Sequence, residues 1–109
     1  MNLLRRNDVR LHGIDLAEER IAEFCRRRRI TELALFGSVL REDFRSDSDI
    51  DVLVTFAEDC GYSLFDLAQV QDELKVILAH EVDLVEKAGL RNPFRRHSIL
   101  SNMEVIYAA

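Results

Sequence analysis

Apolar positions follow two different periods along this chain, and the changes between them mark its elements. Ile30–Phe36 is a short run rich in branched and aromatic side chains that stops at Gly37-Ser38. Asp49–Phe56 alternates: Ile50, Val52, Val54 and Phe56 fall on one face, with Asp49, Asp51, Leu53 and Thr55 on the other. Glu81–Val85 repeats the pattern in miniature, with Val82 and Leu84 to one side and Asp83 to the other. Helical spacing separates these strands. Leu16, Ala17, Ile21, Phe24 and Cys25 make a stripe along a helix predicted over Asp15–Arg29, with Asp15 and Glu18 placed as a capping box. Ser63 and Asp66 cap a second helix, from Leu64 to about Ala79, whose core face is Leu67, Val70, Leu74, Ile77 and Leu78. Asn92-Pro93 opens a last short helix, and Glu104–Ala108 reads as a closing strand. The order predicts an α/β fold (α+β in some schemes), a small mixed sheet flanked by helices, with a short helix after Gly37.

Composition narrows the class. The 109 residues suit a single domain over 1–109, with 48% hydrophobic and 32% charged residues and only four Gly and one Pro. No apolar run approaches the roughly 20 residues that cross a bilayer, so no membrane association is expected. Met1–Gly13 has no continuous apolar stretch of the kind a signal peptide carries. The two cysteines, Cys25 and Cys60, lie in no metal-binding spacing, which fits a reduced, cytoplasmic protein. A net charge of −5 argues against long nucleic acid as the partner, while a small anionic ligand held with a divalent metal stays open.

One constellation carries chemistry. Ten residues separate Gly37-Ser38 from Asp49-Ile50-Asp51 at the head of the next strand. Positions i and i+2 of a strand share a face, so Asp49 and Asp51 project side by side. Two carboxylates about 4 Å apart repel by about 4 kcal/mol at an effective dielectric of 20, and a bound cation would hold such a pair. Hard oxygen ligands of this kind suit Mg2+, which completes its shell with substrate phosphates. Gly37 lets a phosphate approach the backbone, Ser38 offers a hydroxyl and an N–H at the start of a short helix, and Arg41 reaches the same phosphates. Together they describe a nucleotidyl-transfer site. Other residues get plainer readings. Asp47 is a turn former, His12 and His80 are surface residues, and Arg95, Arg96 and His97 form a basic cluster that could meet an acidic partner or a nucleotide tail but reads better as a solvated helix face. The run Arg26–Arg29 is a solvated helix end rather than a nucleic-acid patch, and Tyr62 is a minor candidate for stacking on a base.

Leu35-Phe36-Gly37-Ser38, Arg41, Ser48-Asp49-Ile50-Asp51-Val52-Leu53-Val54 and Val82-Asp83-Leu84-Val85 closely resemble the minimal nucleotidyltransferase (MNT) family, within the DNA-polymerase-β-like nucleotidyltransferase superfamily. The resemblance implies that Gly37 and Ser38 bind nucleotide phosphates and that Asp49 and Asp51 bind Mg2+. Asp83 would be the third carboxylate, completing the metal shell or helping to deprotonate the acceptor. It further implies an antitoxin that transfers AMP from ATP to a hydroxyl, tyrosine in particular, of a partner HEPN RNase toxin, in a hetero-oligomer. A steric antitoxin that only covers the toxin is the alternative, and transfer to a small-molecule hydroxyl a weaker one.

Overall fold

The apolar run Ile30–Phe36 and the alternating run Asp49–Phe56 supply the two central strands of the sheet. The computed structural model describes residues 10–11, 14–41, 44–45 and 47–109. A short ribbon, β1 (Arg10–Leu11) and β2 (Ile14–Asp15), precedes helix α1 (Glu18–Arg27). Next come β3 (Ile30–Phe36), a 3-10 turn over Gly37–Leu40, β4 (Ile50–Phe56) and helix α2 (Leu64–Leu78). The chain ends with β5 (Val82–Glu86), a second 3-10 turn over Lys87–Gly89, helix α3 (Pro93–Asn102) and β6 (Glu104–Ala108). The four-stranded sheet has the order β5-β4-β3-β6. β3 runs antiparallel to β4 and β6, whereas β4 and β5 are parallel. A parallel pair requires a crossover, and α2 supplies it. This is the mixed, helix-flanked sheet that the hydrophobic pattern predicts.

Each face of the sheet has its own core. On one, Leu33, Leu35, Ile50, Val52, Val54 and Val82 meet Ile21 and Phe24 of α1 and Val70, Leu74 and Leu78 of α2. On the other, Ala34, Phe36 and Leu53 pack under Leu90 and Ile99, which makes α3 the lid of the smaller core. Leu53, expected on the polar side of β4, is therefore buried too. No helix among the described residues is long and apolar enough to cross a membrane.

Helix boundaries follow their caps. Ser63 Oγ accepts from the Asp66 N–H at 3.2 Å while the Ser63 N–H donates to Asp66 Oδ2 at 2.9 Å, the reciprocal box expected for α2. The expected start of α1 at Asp15 is wrong. Asp15 is extended and paired with Arg10 in the ribbon, so the helix begins at Glu18 and no side chain caps it. It also ends earlier than expected, because Arg29 turns into the left-handed region with φ +58°.

The arginine run that follows is largely exposed, as expected, and three of its members make ion pairs. Arg27 Nη1 and Arg28 Nε grip the two oxygens of Glu73 at 2.8 and 2.6 Å, tying α1 to α2. Arg29 Nη2 meets Asp59 at 2.5 Å in the loop after β4. Burial pushes the Glu73 carboxyl up, but the hydrogen bonds of Arg27 and Arg28 outweigh it and leave the group below its ordinary range. Folding thus favours ionised Glu73. That stabilisation is present above the unfolded value of about 4.3 and is lost as pH falls through the lower folded value. Glu73→Gln is expected to lower the melting temperature at neutral pH, the deficit vanishing once the pH falls below the folded value of Glu73, where both proteins are uncharged at this position. Paired thermal melts across that range check it; an equal deficit at both ends would refute the ionic account.

Candidate active site

Three strands and one turn bring the candidate residues to one end of the sheet. β3 finishes at Phe36, whose register partner on β4 is Asp51, and Asp51 is in turn paired with Asp83 on β5. The chain leaves β3 through Gly37 at φ +78°, a conformation that side chains disfavour. A Cβ built on Gly37 would overlap Oδ2 of Asp51 and lie 3.2 Å from its Cγ. The Asp51 carboxylate therefore rests against the Gly37 backbone, in space that only glycine leaves open. Ser38 is the second residue of the 3-10 turn, partly buried. Arg41 follows the turn, its N–H donating to the Ser38 carbonyl at 2.9 Å. Asp49 stands exposed just ahead of β4, two residues from Asp51 and so on the same face. Asp83 is exposed on the neighbouring strand, about 4.8 Å away across the sheet.

The electrostatics are those of clustered acids. Burial pushes the half-buried Asp51 carboxyl above its ordinary range, and the charges of Asp83 and Asp49 push it the same way. Arg95 and Arg41 pull it back. Among the described residues, no three Asp, Glu, His or Cys side chains gather closely enough to cage a metal alone. Mg2+ asks for less, since one or two carboxylates suffice when substrate phosphates complete its shell. The donor set at Asp49 and Asp51, beside the open Gly37 backbone, fits that arrangement.

The sequence favours a solvated helix face over a nucleotide-tail contact for Arg95. Arg95 sits on α3, where Asn92 accepts from the Phe94 and Arg95 N–H groups and so starts the helix. Arg95 is exposed, yet its charge bears on Asp51. The available signal was its spacing of four residues from the buried anchor Ile99, which puts both on one helix face. Other residues stand elsewhere or have other duties. Tyr62 lies beyond the far end of β4, its ring edge-on to Phe56 at 4.9 Å and its hydroxyl donating to the Arg28 carbonyl at 2.7 Å. That geometry overturns the idea of Tyr62 as a base platform. Asp47 pairs with Arg45 at 3.5 Å on the surface, consistent with a turn. His80, expected on the surface, is half-buried against Phe44 at 5.5 Å because the α2–β5 connection folds inward, and its Nε2 is enclosed without a partner among the described residues. His12 lies outside the described residues. Cys25 is a buried packing thiol, its pKa pushed up to about 12 by burial against a small opposing pull from Arg26.

The sheet order, with a glycine turn meeting strand-head acids at one end, is that of the minimal nucleotidyltransferase fold. Residues 18–106 match the model of the Nucleotidyltransferase domain family, and the chain belongs to that family of enzymes. It is 38% identical over 71 residues to MJ0128 of Methanocaldococcus jannaschii, provisionally described as a protein adenylyltransferase, covering 65% of this chain and 70% of that one. It is 33% identical over 78 residues to the protein adenylyltransferase MntA of Thermococcus cleftensis, covering 72% and 74%. A solved structure provisionally described as a minimal nucleotidyltransferase superposes with a TM-score of 0.65 at 36% identity, covering 79% of this chain and 85% of that one. A chain from the complex of a tri-AMPylated Shewanella oneidensis HEPN toxin with MNT antitoxin shares the fold, with a TM-score of 0.61 at 20% identity over 84% and 70% of the two chains.

Two variants probe the contact at Gly37. Gly37→Ala combines a left-handed backbone, costing about 1–2 kcal/mol, with displacement of the Asp51 carboxylate. Nucleotidyl transfer is expected to fall by at least about tenfold while circular dichroism stays native; activity within about twofold of the parent would refute the contact's importance. Asp51→Asn tests the electrostatics. A raised folded pKa means that folding favours the protonated form, so the parent loses stability as pH rises from about 3.9 through the higher folded value. Without added metal, Asp51→Asn is expected to melt above the parent at neutral pH and level with it near pH 3. A lower melting temperature at neutral pH would contradict the repulsion described here.

Proposed function

We propose that this chain is an antitoxin nucleotidyltransferase, which transfers AMP from ATP, with Mg2+, to a hydroxyl of a HEPN-type RNase toxin and so neutralises it. The acceptor we favour is a tyrosine. The observation that carries the reading is the Asp51 carboxylate lying against the Gly37 backbone, which gives a phosphate and a metal one shared place. Gly37, Ser38 and Arg41 hold the phosphate tail. Asp49 and Asp51 hold the metal, with Asp83 beside them. When bound, Mg2+ offsets the charge that builds on the phosphate oxygens during an in-line displacement.

The protein's own residues position and deprotonate. The acceptor oxygen forms a bond to the α-phosphorus as the bond from that phosphorus to the pyrophosphate oxygen breaks, and pyrophosphate leaves with the electron pair. Asp83, exposed at the β5 edge, takes the acceptor's proton. Arg41 and Arg95 favour the bound anion through their charge. A relative named protein adenylyltransferase, and a shared fold with a chain crystallised alongside an AMPylated HEPN toxin, support a protein acceptor. The reading extends to one domain over 1–109, working in the cytoplasm in a complex with its toxin.

Intact mass spectrometry of a HEPN toxin incubated with this chain, ATP and Mg2+ tests the proposal. The expected result is a gain of one or more AMP units that is absent with the Asp49→Asn/Asp51→Asn double variant. An unchanged toxin mass with RNase activity still lost would mean that the antitoxin acts by covering its target. Full AMP transfer by the double variant would overturn the roles given to the two carboxylates.

A further inference from the structure

Between Lys87 and Met103 the chain carries four cations and no acid, in a protein whose net charge is −5. Two of the four have local duties. Lys87 pairs with Glu32 at 3.6 Å, and the half-buried Arg96 donates to the Lys87 carbonyl at 3.4 Å. Arg91 and Arg95 are exposed and form no ion pair among the described residues. Phe94 stands between them with its side chain in water, 85% exposed. Sheet order sets this patch beside the candidate active site. α3 begins after β5, at one edge of the sheet, and hands the chain to β6 at the other, so its first residues lie toward β5. The contact of Arg96 with Lys87, in the turn that follows β5, agrees with that placement. Leu64, Phe65 and Val76 are exposed too, but they belong to α2, over the opposite face of the sheet.

We infer that Arg91, Phe94 and Arg95 form the face on which the protein acceptor docks, and that the segment seated there is acidic with an apolar side chain for Phe94. The inference rests on the AMP-transfer reading and deepens it by giving the chemistry of the partner. Aromatic and arginine side chains are the types that carry most of the energy where proteins bind proteins. The charge of the patch, set against the acidity of the whole chain, selects an acidic partner and steers it to this end of the molecule. The patch also adjoins β5, where Asp83 receives the acceptor's proton. A polynucleotide is the other anion that a basic patch attracts. Two arginines supply few phosphate contacts, and Asp49, Asp51 and Asp83 beside them repel a continuous phosphate backbone. A protein segment carries its carboxylates singly. It can set them against Arg91 and Arg95 and bring an uncharged hydroxyl to the acids.

Calorimetry of HEPN toxin binding, with steady-state kinetics of AMP transfer to it, tests this on three variants of exposed residues. Arg91→Glu reverses a charge, Phe94→Ser removes the ring, and Phe65→Ser removes an exposed ring from α2 as a control. Arg91→Glu and Phe94→Ser are each expected to weaken toxin binding and raise KM for the toxin by at least about tenfold. Both are expected to leave kcat and the binding of AMP-PNP within about twofold of the parent, and Phe65→Ser to change none of these. Raising salt from about 50 to about 500 mM is expected to weaken toxin binding by the parent far more than by Arg91→Glu. Toxin binding unaffected by Arg91→Glu and Phe94→Ser, or weakened as much by Phe65→Ser, would overturn the inference. So would an RNA oligonucleotide that binds the parent and is lost in those two variants while the toxin is not. A parent that binds the toxin with the expected losses but transfers no AMP would uphold the docking face and overturn the AMP-transfer reading.

Discussion

The close approach of the Asp51 carboxylate to the Gly37 backbone is the constraint on which the rest of the site depends. It requires a glycine at a positive φ, a strand that ends one residue earlier, and a neighbouring strand whose register sets Phe36 opposite Asp51. A slip of one residue between β3 and β4 would turn Asp51 to the opposite face, among Ile21 and Phe24. The buried branched residues of β4 forbid it, since the same slip would carry Ile50, Val52 and Val54 out of the larger core. Packing on one face of the sheet thereby fixes the chemistry on the other.

The two cores have different consequences. The larger one, under α1 and α2, holds the sheet. The smaller one, under α3, leaves the head of β4 uncovered, so Asp51 is half-buried instead of sealed. Burial and two acidic neighbours both work against its charge. A protein selected only for stability would place a neutral residue there. An acid kept there at that cost fits the proposed metal and nucleotide site.

The strands were legible because their period is local: Ile30–Phe36 and Glu104–Ala108 have the bounds the pattern predicts. The α2 cap was legible for the same reason, since Ser63 and Asp66 are three residues apart and need no distant partner. Asp15 offered the same local signal and failed, because pairing with Arg10 holds it extended. Tertiary contacts decided other details too. Nothing near Arg27 and Arg28 in sequence announces Glu73 on α2, and nothing near Tyr62 announces the Arg28 carbonyl. The glycine, serine and acids of the candidate site were recognisable as a motif. The share that α3 takes in the site was not, because the rotation of a helix over a sheet is set by which residue it buries, here Ile99.

Charge explains why α3 matters beyond packing. The chain carries a net charge of −5, and the candidate site adds three acids where an anionic nucleotide would have to bind. The arginines at the end of α1 offer no help: Arg27, Arg28 and Arg29 are engaged by Glu73 and Asp59. The positive charge felt at Asp51 comes from Arg41, behind the glycine turn, and from Arg95, on the helix that covers the smaller core. These two charges act on Asp51 from separate elements. The helix that closes the hydrophobic face therefore also brings one of the two charges that make an acidic site receptive to an anion.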